Sequence, residues 1–146
     1  MTLHLIKLSV GTDSVEDLQS WIDGRLKAER KRGTKQPQRV HVTRMVPKRA
    51  DDILDGGSIY WVIRGEIACR ERVLGIEPFV DGEGIGRCRL ILDPKCVPVR
   101  PRPFRAFQGW RYLETKDAPP DLGKVARGTE AMPEEMRREL RELGLL

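Results

Sequence analysis

Between Asp93 and Glu114 the chain carries no carboxylate, but it carries five basic residues (Lys95, Arg100, Arg102, Arg105, Arg111), four prolines and four aromatics. The segment ends in Phe107-Gln108-Gly109-Trp110-Arg111-Tyr112-Leu113. Aromatic faces stack nucleobases, an amide donates and accepts at a base edge, and guanidinium groups fork onto phosphates. A second basic group, Arg44, Lys48 and Arg49, flanks Pro47, while Arg64, Arg70 and Arg72 emerge from the middle of the chain. The chemistry this pattern suits is the holding of RNA or a nucleotide. Trp110 or Tyr112 would stack a base, Gln108 would read an edge, and Arg44, Lys48, Arg49, Arg64 and Arg111 would neutralise phosphates. The competing reading makes the two aromatics packing residues and the arginines ion-pair partners of Asp51, Asp52, Glu66 and Glu71.

Catalytic and metal motifs are incomplete. His41-Val42-Thr43 is half of the paired His-x-Thr signature of two-histidine phosphoesterases, which need one histidine as base and one as acid. The other histidine stands in His4-Leu5-Ile6, so the pair is missing. Two histidines and three scattered cysteines, with no Cys-x-x-Cys, do not make a metal site. Gly82-Glu83-Gly84-Ile85-Gly86 precedes a strand rather than a helix and reads as a hairpin turn. Neither a Gly-x-Ser-x-Gly elbow nor a Walker sequence is present. The expectation is no catalytic residue, no cofactor and no metal.

The 146 residues fit one domain, and a net charge of +5 favours polyanionic partners. The odd count of cysteines argues against a disulfide framework and for a reducing, cytoplasmic setting. The first residues do not form a secretory signal, and the longest apolar run, Ile59 to Ile63, is far too short to span a bilayer. No membrane partner is expected.

The elements that must position these side chains follow from periodicity. Leu3 to Val10 reads as a buried strand. Ser14 or Asp13 caps a helix to Lys31 whose Val15, Leu18, Ile22 and Leu26 share one face, with Trp21 beside them. The basic run from Arg25 to Arg39 is either a solvated helix end or an arm that attracts phosphate. Arg39 to Val46 reads as a strand, and Pro47 opens a short helix through Leu54 that Asp55-Gly56-Gly57 stops. Ser58 to Arg64 alternates as a strand, and Glu66 to Val80 is one long strand or a kinked pair with a bulge near Gly75. Arg87 to Asp93 returns after the Asp81–Gly84 turn. The proline-rich stretch takes an extended, edge-like path, Gln108 to Leu113 forms a last strand, and Pro133 to Leu143 forms a C-terminal helix.

Three stretches carry a resemblance: Val40-His41-Val42-Thr43-Arg44-Met45-Val46-Pro47-Lys48-Arg49-Ala50, Gly56-Gly57-Ser58-Ile59-Tyr60-Trp61-Val62-Ile63, and Phe107 to Leu113. With them the chain resembles an uncharacterised family, a domain of unknown function common in alphaproteobacteria, over most of residues 1 to 125. That resemblance implies no activity. More loosely, residues 39 to 113 resemble PUA-like barrels, which include the ASCH and EVE domains. This implies a small β-barrel with a ligand cleft and binding of RNA or modified bases. Some ASCH proteins are amidohydrolases, which would cast Thr43, Lys48 and Glu66 as their Thr, Lys and Glu.

The expected fold is α+β: a curved mixed or antiparallel sheet closing into a PUA-like barrel, with one long N-terminal helix, one short helix and a C-terminal helix. Residues 1–125 form the domain, and 126–146 a linker with a peripheral helix. The expected function is binding of RNA or a nucleotide through a basic and aromatic cleft. The alternatives are a small hydrolase of a modified nucleoside and an interaction domain for an acidic protein partner.

Overall fold

The computed structural model describes residues 1–105 and 107–122. The chain runs β1 (Leu3–Leu8), α1 (Val15–Lys31), β2 (Arg39–Thr43), α2 (Ala50–Leu54), β3 (Ser58–Ile63), β4 (Glu66–Val80), β5 (Gly86–Leu92), β6 (Val97–Pro103) and β7 (Trp110–Glu114), then a 3₁₀ turn at Thr115–Asp117. The fold is α+β with a mixed seven-stranded sheet in the order β2-β5-β4-β3-β1-β7, and β6 pairs with β4 off that path. β1 and β3 are parallel, and the remaining pairs are antiparallel.

The sheet is open, which corrects the expected barrel. No ladder joins β2 to β7 among the described residues, so these strands remain its two edges. Closure needs a continuous ring of paired strands. Here β2 ends at Thr43, three residues short of the expected Val46, and Arg44 to Arg49 leaves the sheet as a connection. Pro47 lies in that connection, and the short helix begins only at Ala50. The expected C-terminal helix, and the 126–146 division, lie outside the described residues.

β4 organises the middle. One edge of its first half pairs with β3, and the other edge takes β6 and then β5. The Asp93–Cys96 jog separates β5 from β6, and Asp93 N–H donates to Arg72 O at 2.9 Å across it. The proline-bearing strand β6 therefore borders β4, and on its outer side the chain returns in a short stretch, where Arg100 N–H donates to Pro120 O at 2.9 Å and Val99 bridges Asp121. Pairing slips between Ile67 and Cys69, as a β-bulge does. Val62 is paired with Ile67, whereas Trp61 is paired with Cys69, so the two flanks of the bulge face opposite sides of the sheet.

Each side holds a core. One contains Leu3, Leu5, Ile59, Trp61, Cys69, Val73 and Leu90, with α1 laying Leu18, Ile22 and Leu26 upon it. Burying each of those three helix residues is worth about 1.5–3 kcal/mol. Ser14 caps α1 by accepting from Asp17 N–H at 3.0 Å. The other core contains Ile6, Tyr60, Val62, Ile67, Val99 and Leu113, covered by Phe104, Phe107 and Ala118. Gly57 joins α2 to β3 where a Cβ would collide with the carbonyl oxygens of Leu3 and Ile53. Only glycine lets the backbone come that close.

Candidate functional site

The connection between β2 and α2 lies against β7. Trp110 Nε1–H donates to Met45 O at 2.9 Å, and the Arg49 N–H donates to Tyr112 Oη at 3.2 Å. Trp110 and Tyr112 alternate on one face of β7 with their ring centroids 4.9 Å apart. Their roles divide by burial. Trp110 is 7% exposed and belongs to the α1-side core, whereas Tyr112 is 38% exposed. Arg44, Lys48, Arg49 and Gln108 are exposed. Arg49 shares its charge with Asp52 at 3.0 Å, an exposed pair that water screens.

Two expected members lie elsewhere. Arg111 points to the opposite face of β7, because its cross-strand neighbour is Ile6 of the second core; its guanidinium stands 4.7 Å from the Phe107 ring. Arg64 sits in the β3–β4 turn at a positive φ of 51° and pairs with Asp13 at 3.2 Å. The structure thus brings the backbone of Met45 and Arg49 against Trp110 and Tyr112, and it engages Arg64 with Asp13 and Arg111 with Phe107 instead.

The hydrolase constellation is not assembled. Thr43 is buried and stands opposite Cys88, which stands opposite Pro78 near the end of β4. Glu66 opens that same strand. The register thus puts Thr43 and Glu66 at opposite ends of a 15-residue strand. Among the described residues no three His, Cys, Asp or Glu groups come together to hold a metal.

Sequence reading missed a polar cluster inside the α1-side core. Glu71 is fully buried and accepts from Arg39 Nε at 3.2 Å, from Arg39 Nη2 at 3.1 Å and from Trp61 Nε1 at 3.0 Å. Arg39, 7% exposed, is therefore neither part of a solvated helix end nor of a phosphate-seeking arm. Burial pushes the Glu71 carboxyl above the ordinary carboxylate range, while the Arg39 charge, its hydrogen bond and the Trp61 bond pull against that. The bidentate fork is the arrangement of an ionised pair. Arg39 also lies 5.4 Å from the Trp21 ring, with Arg25 at 5.5 Å. A cavity of about 70 Å³ between α1 and β2 and an open groove of about 430 Å³ along α1 both border Trp21, away from β7.

Beside that cluster, Trp110, Lys7 and Trp61 form one row across β7, β1 and β3. His41 meets Trp61 edge-on with centroids 5.1 Å apart. Its Nε2 is buried without a hydrogen-bond partner among the described residues, an arrangement that costs about 1–3 kcal/mol. Burial, then the Lys7 and Arg39 charges, lower the His41 pKa to about 4. Burial also lowers the Lys7 pKa below the ordinary lysine range. The sequence signal was present, since Lys7 and His41 interrupt apolar strands, but nothing in it said that both stand beside Trp61.

Cys69, Cys88 and Cys96 are free and buried. Hydrogen bonding to Cys96 and burial push the Cys69 thiol far up, so it is unreactive. No described helix is long and apolar enough to cross a membrane. No curated protein and no solved structure matches the chain. A family model does match residues 5–146, nearly the whole length, from within β1 through every later element above. The chain belongs to the family described as "Protein of unknown function (DUF1489)".

Proposed function

We propose that the protein binds RNA or a nucleotide, without catalysis, at the junction of the β2–α2 connection and β7. One observation carries this reading: Tyr112, 38% exposed, is held by a 3.2 Å bond beside the connection that exposes Arg44, Lys48 and Arg49. A planar ring with cations at its rim suits a base and its flanking phosphates. Tyr112 is the stacking ring, because Trp110 is spent on packing and on Met45. Gln108 offers an amide from the turn before β7. Arg64 and Arg111 add long-range attraction only. A PUA-like ancestry and a cytoplasmic setting belong to the same reading.

Retention of total cellular RNA on filters tests it. Binding that falls as salt rises is expected, since released counterions drive phosphate contacts. The absence of salt-sensitive retention would remove the reading. One observation favours an acidic protein partner instead: Met45 and Val46, 53% and 41% exposed, put an apolar surface among the same cations. Pull-down from lysate separates the two, because nuclease would release an RNA-bridged partner and leave a direct one.

A further inference from the structure

We propose that the solvent face of α1 is a docking surface for a second copy of this chain, with the two helices packed antiparallel about Gly24. At the helical repeat, Ser20, Gly24 and Ala28 lie opposite the buried Ile22 and Leu26, and Asp17 and Lys31 extend the same line. All of these solvent-side residues are exposed. Ser20, Gly24 and Ala28 line the open groove of about 430 Å³ together with Trp21. Two residues on this face are not accounted for within one protomer. Glycine in mid-helix weakens the helix, yet a Cβ at Gly24 would meet nothing within 4 Å, so no contact inside the chain demands it. Trp21 touches Arg25 and Arg39 and still leaves 51% of its surface exposed. The close approach of another helix accounts for both, because glycine lets two backbones come near and an indole closes over the gap.

Charge identifies the occupant. Glu16 and Asp17 stand in the first turn of α1, and Lys31 and Arg32 close it. The dipole of a single helix favours that order, but Glu16, Lys31 and Arg32 form no ion pair among the described residues. A twofold axis near Gly24 sets each residue against one equally far beyond Gly24 in the other copy. Glu16 then falls beside the partner's Lys31, Asp17 beside the partner's Arg32, and Trp21 over the partner's Ala28. A parallel pairing would set acid on acid and base on base, and a polyanion along this face would meet Glu16, Asp17 and Asp23. The face is thus complementary to itself, as a closed dimer requires. One helix face is smaller than a standard interface, so the dissociation constant is on the order of micromolar. These residues are not those of the RNA reading, and either can fail alone.

Sedimentation equilibrium of the whole protein, treated with nuclease and run over a wide range of concentration, tests the dimer. The expected result is a reversible equilibrium between one chain and two. Gly24→Leu puts bulk where the helices meet and should weaken dimerisation about tenfold or more. The same change should raise the urea midpoint of the folded chain, since leucine favours the helix and the space beside Gly24 is open. Glu16→Lys and Lys31→Glu should each self-associate more weakly than wild type. An equal mixture of these two variants should recover a dimer, because exchange restores both charge pairs across the twofold. Mixing alters nothing inside either chain, so recovery reports the contact itself. A wild type that is monomeric at every concentration overturns the proposal, as does a dimer indifferent to Gly24→Leu or a mixture no tighter than its parts. A monomeric wild type whose RNA retention depends on Gly24 would give the groove to nucleic acid and would likewise overturn it.

Discussion

At Glu71 a fully buried carboxylate meets a guanidinium and an indole N–H, and removing the acid leaves Arg39 charged and dry. Breaking such a pair costs about 3–5 kcal/mol, whereas replacing both partners by apolar groups is often neutral. Glu71→Leu should therefore destabilise by about 3 kcal/mol or more, and adding Arg39→Met should recover most of that loss in urea unfolding. Equal instability of the single and double variants would show that the pair is not what matters. His41 sets a pH dependence of known sign. Its folded pKa of about 4 lies below the ordinary 6.5, so the unfolded chain takes up the proton first. Its contribution is complete above pH 6.5 and is lost as pH falls towards 4. The loss is on the order of 3 kcal/mol. His4, lowered by burial and Arg70, acts in the same direction. Glu71, raised by burial, acts in the opposite one. The difference between wild type and His41→Gln isolates the effect in urea midpoints over this window, and a constant difference across it would refute it. Glu71 stands in phase with Cys69 and Val73 along β4, but its partner lies 32 residues away, and no local pattern encodes that meeting.

The connection between β2 and α2 is an element held by few bonds. Trp110 Nε1–H to Met45 O is one, and Arg49 N–H to Tyr112 Oη is another. Trp110→Phe keeps an aromatic ring in the core but deletes the donor. It should cost about 1–3 kcal/mol, since Met45 O loses its partner. It should also speed tryptic cleavage after Arg44, Lys48 or Arg49 while α1 remains intact. Unchanged cleavage would mean that other contacts hold the connection. Elements with a strong period were legible: α1 begins and ends within a residue of its expected bounds, and β3 differs by one residue. Ends set by tertiary contacts were not. Thr43 ends β2 because the following residues turn to meet β7, and Pro47, suited by itself to a first helical turn, is drawn into that crossing. The bulge between Ile67 and Cys69 was equally hidden, since alternating apolar residues look the same with or without it.

At the scale of the molecule, the open sheet leaves the β2 and β7 edges unjoined among the described residues and sets a basic connection between them. The expected barrel failed because closure depends on a ladder between strands far apart in sequence, which strand count and curvature do not ensure. The candidate site was legible as two segments, Arg44 to Arg49 and Gln108 to Tyr112. Which side chains face out was not, because a strand's two faces exchange roles with register. That is why Arg111 went to the Phe107 side and Trp110 into the core. The central claim is that the surviving cations and Tyr112 bind the backbone and a base of single-stranded RNA. Fluorescence anisotropy of a labelled short RNA, titrated with wild type and with Arg44, Lys48 and Arg49 all changed to Ala across a salt series, tests it most directly. Each phosphate contact adds about 0.7 to the slope of log affinity against log salt, so the variant should bind more weakly and its slope should fall by about 2. Wild-type affinity and slope retained by the folded variant would contradict the account.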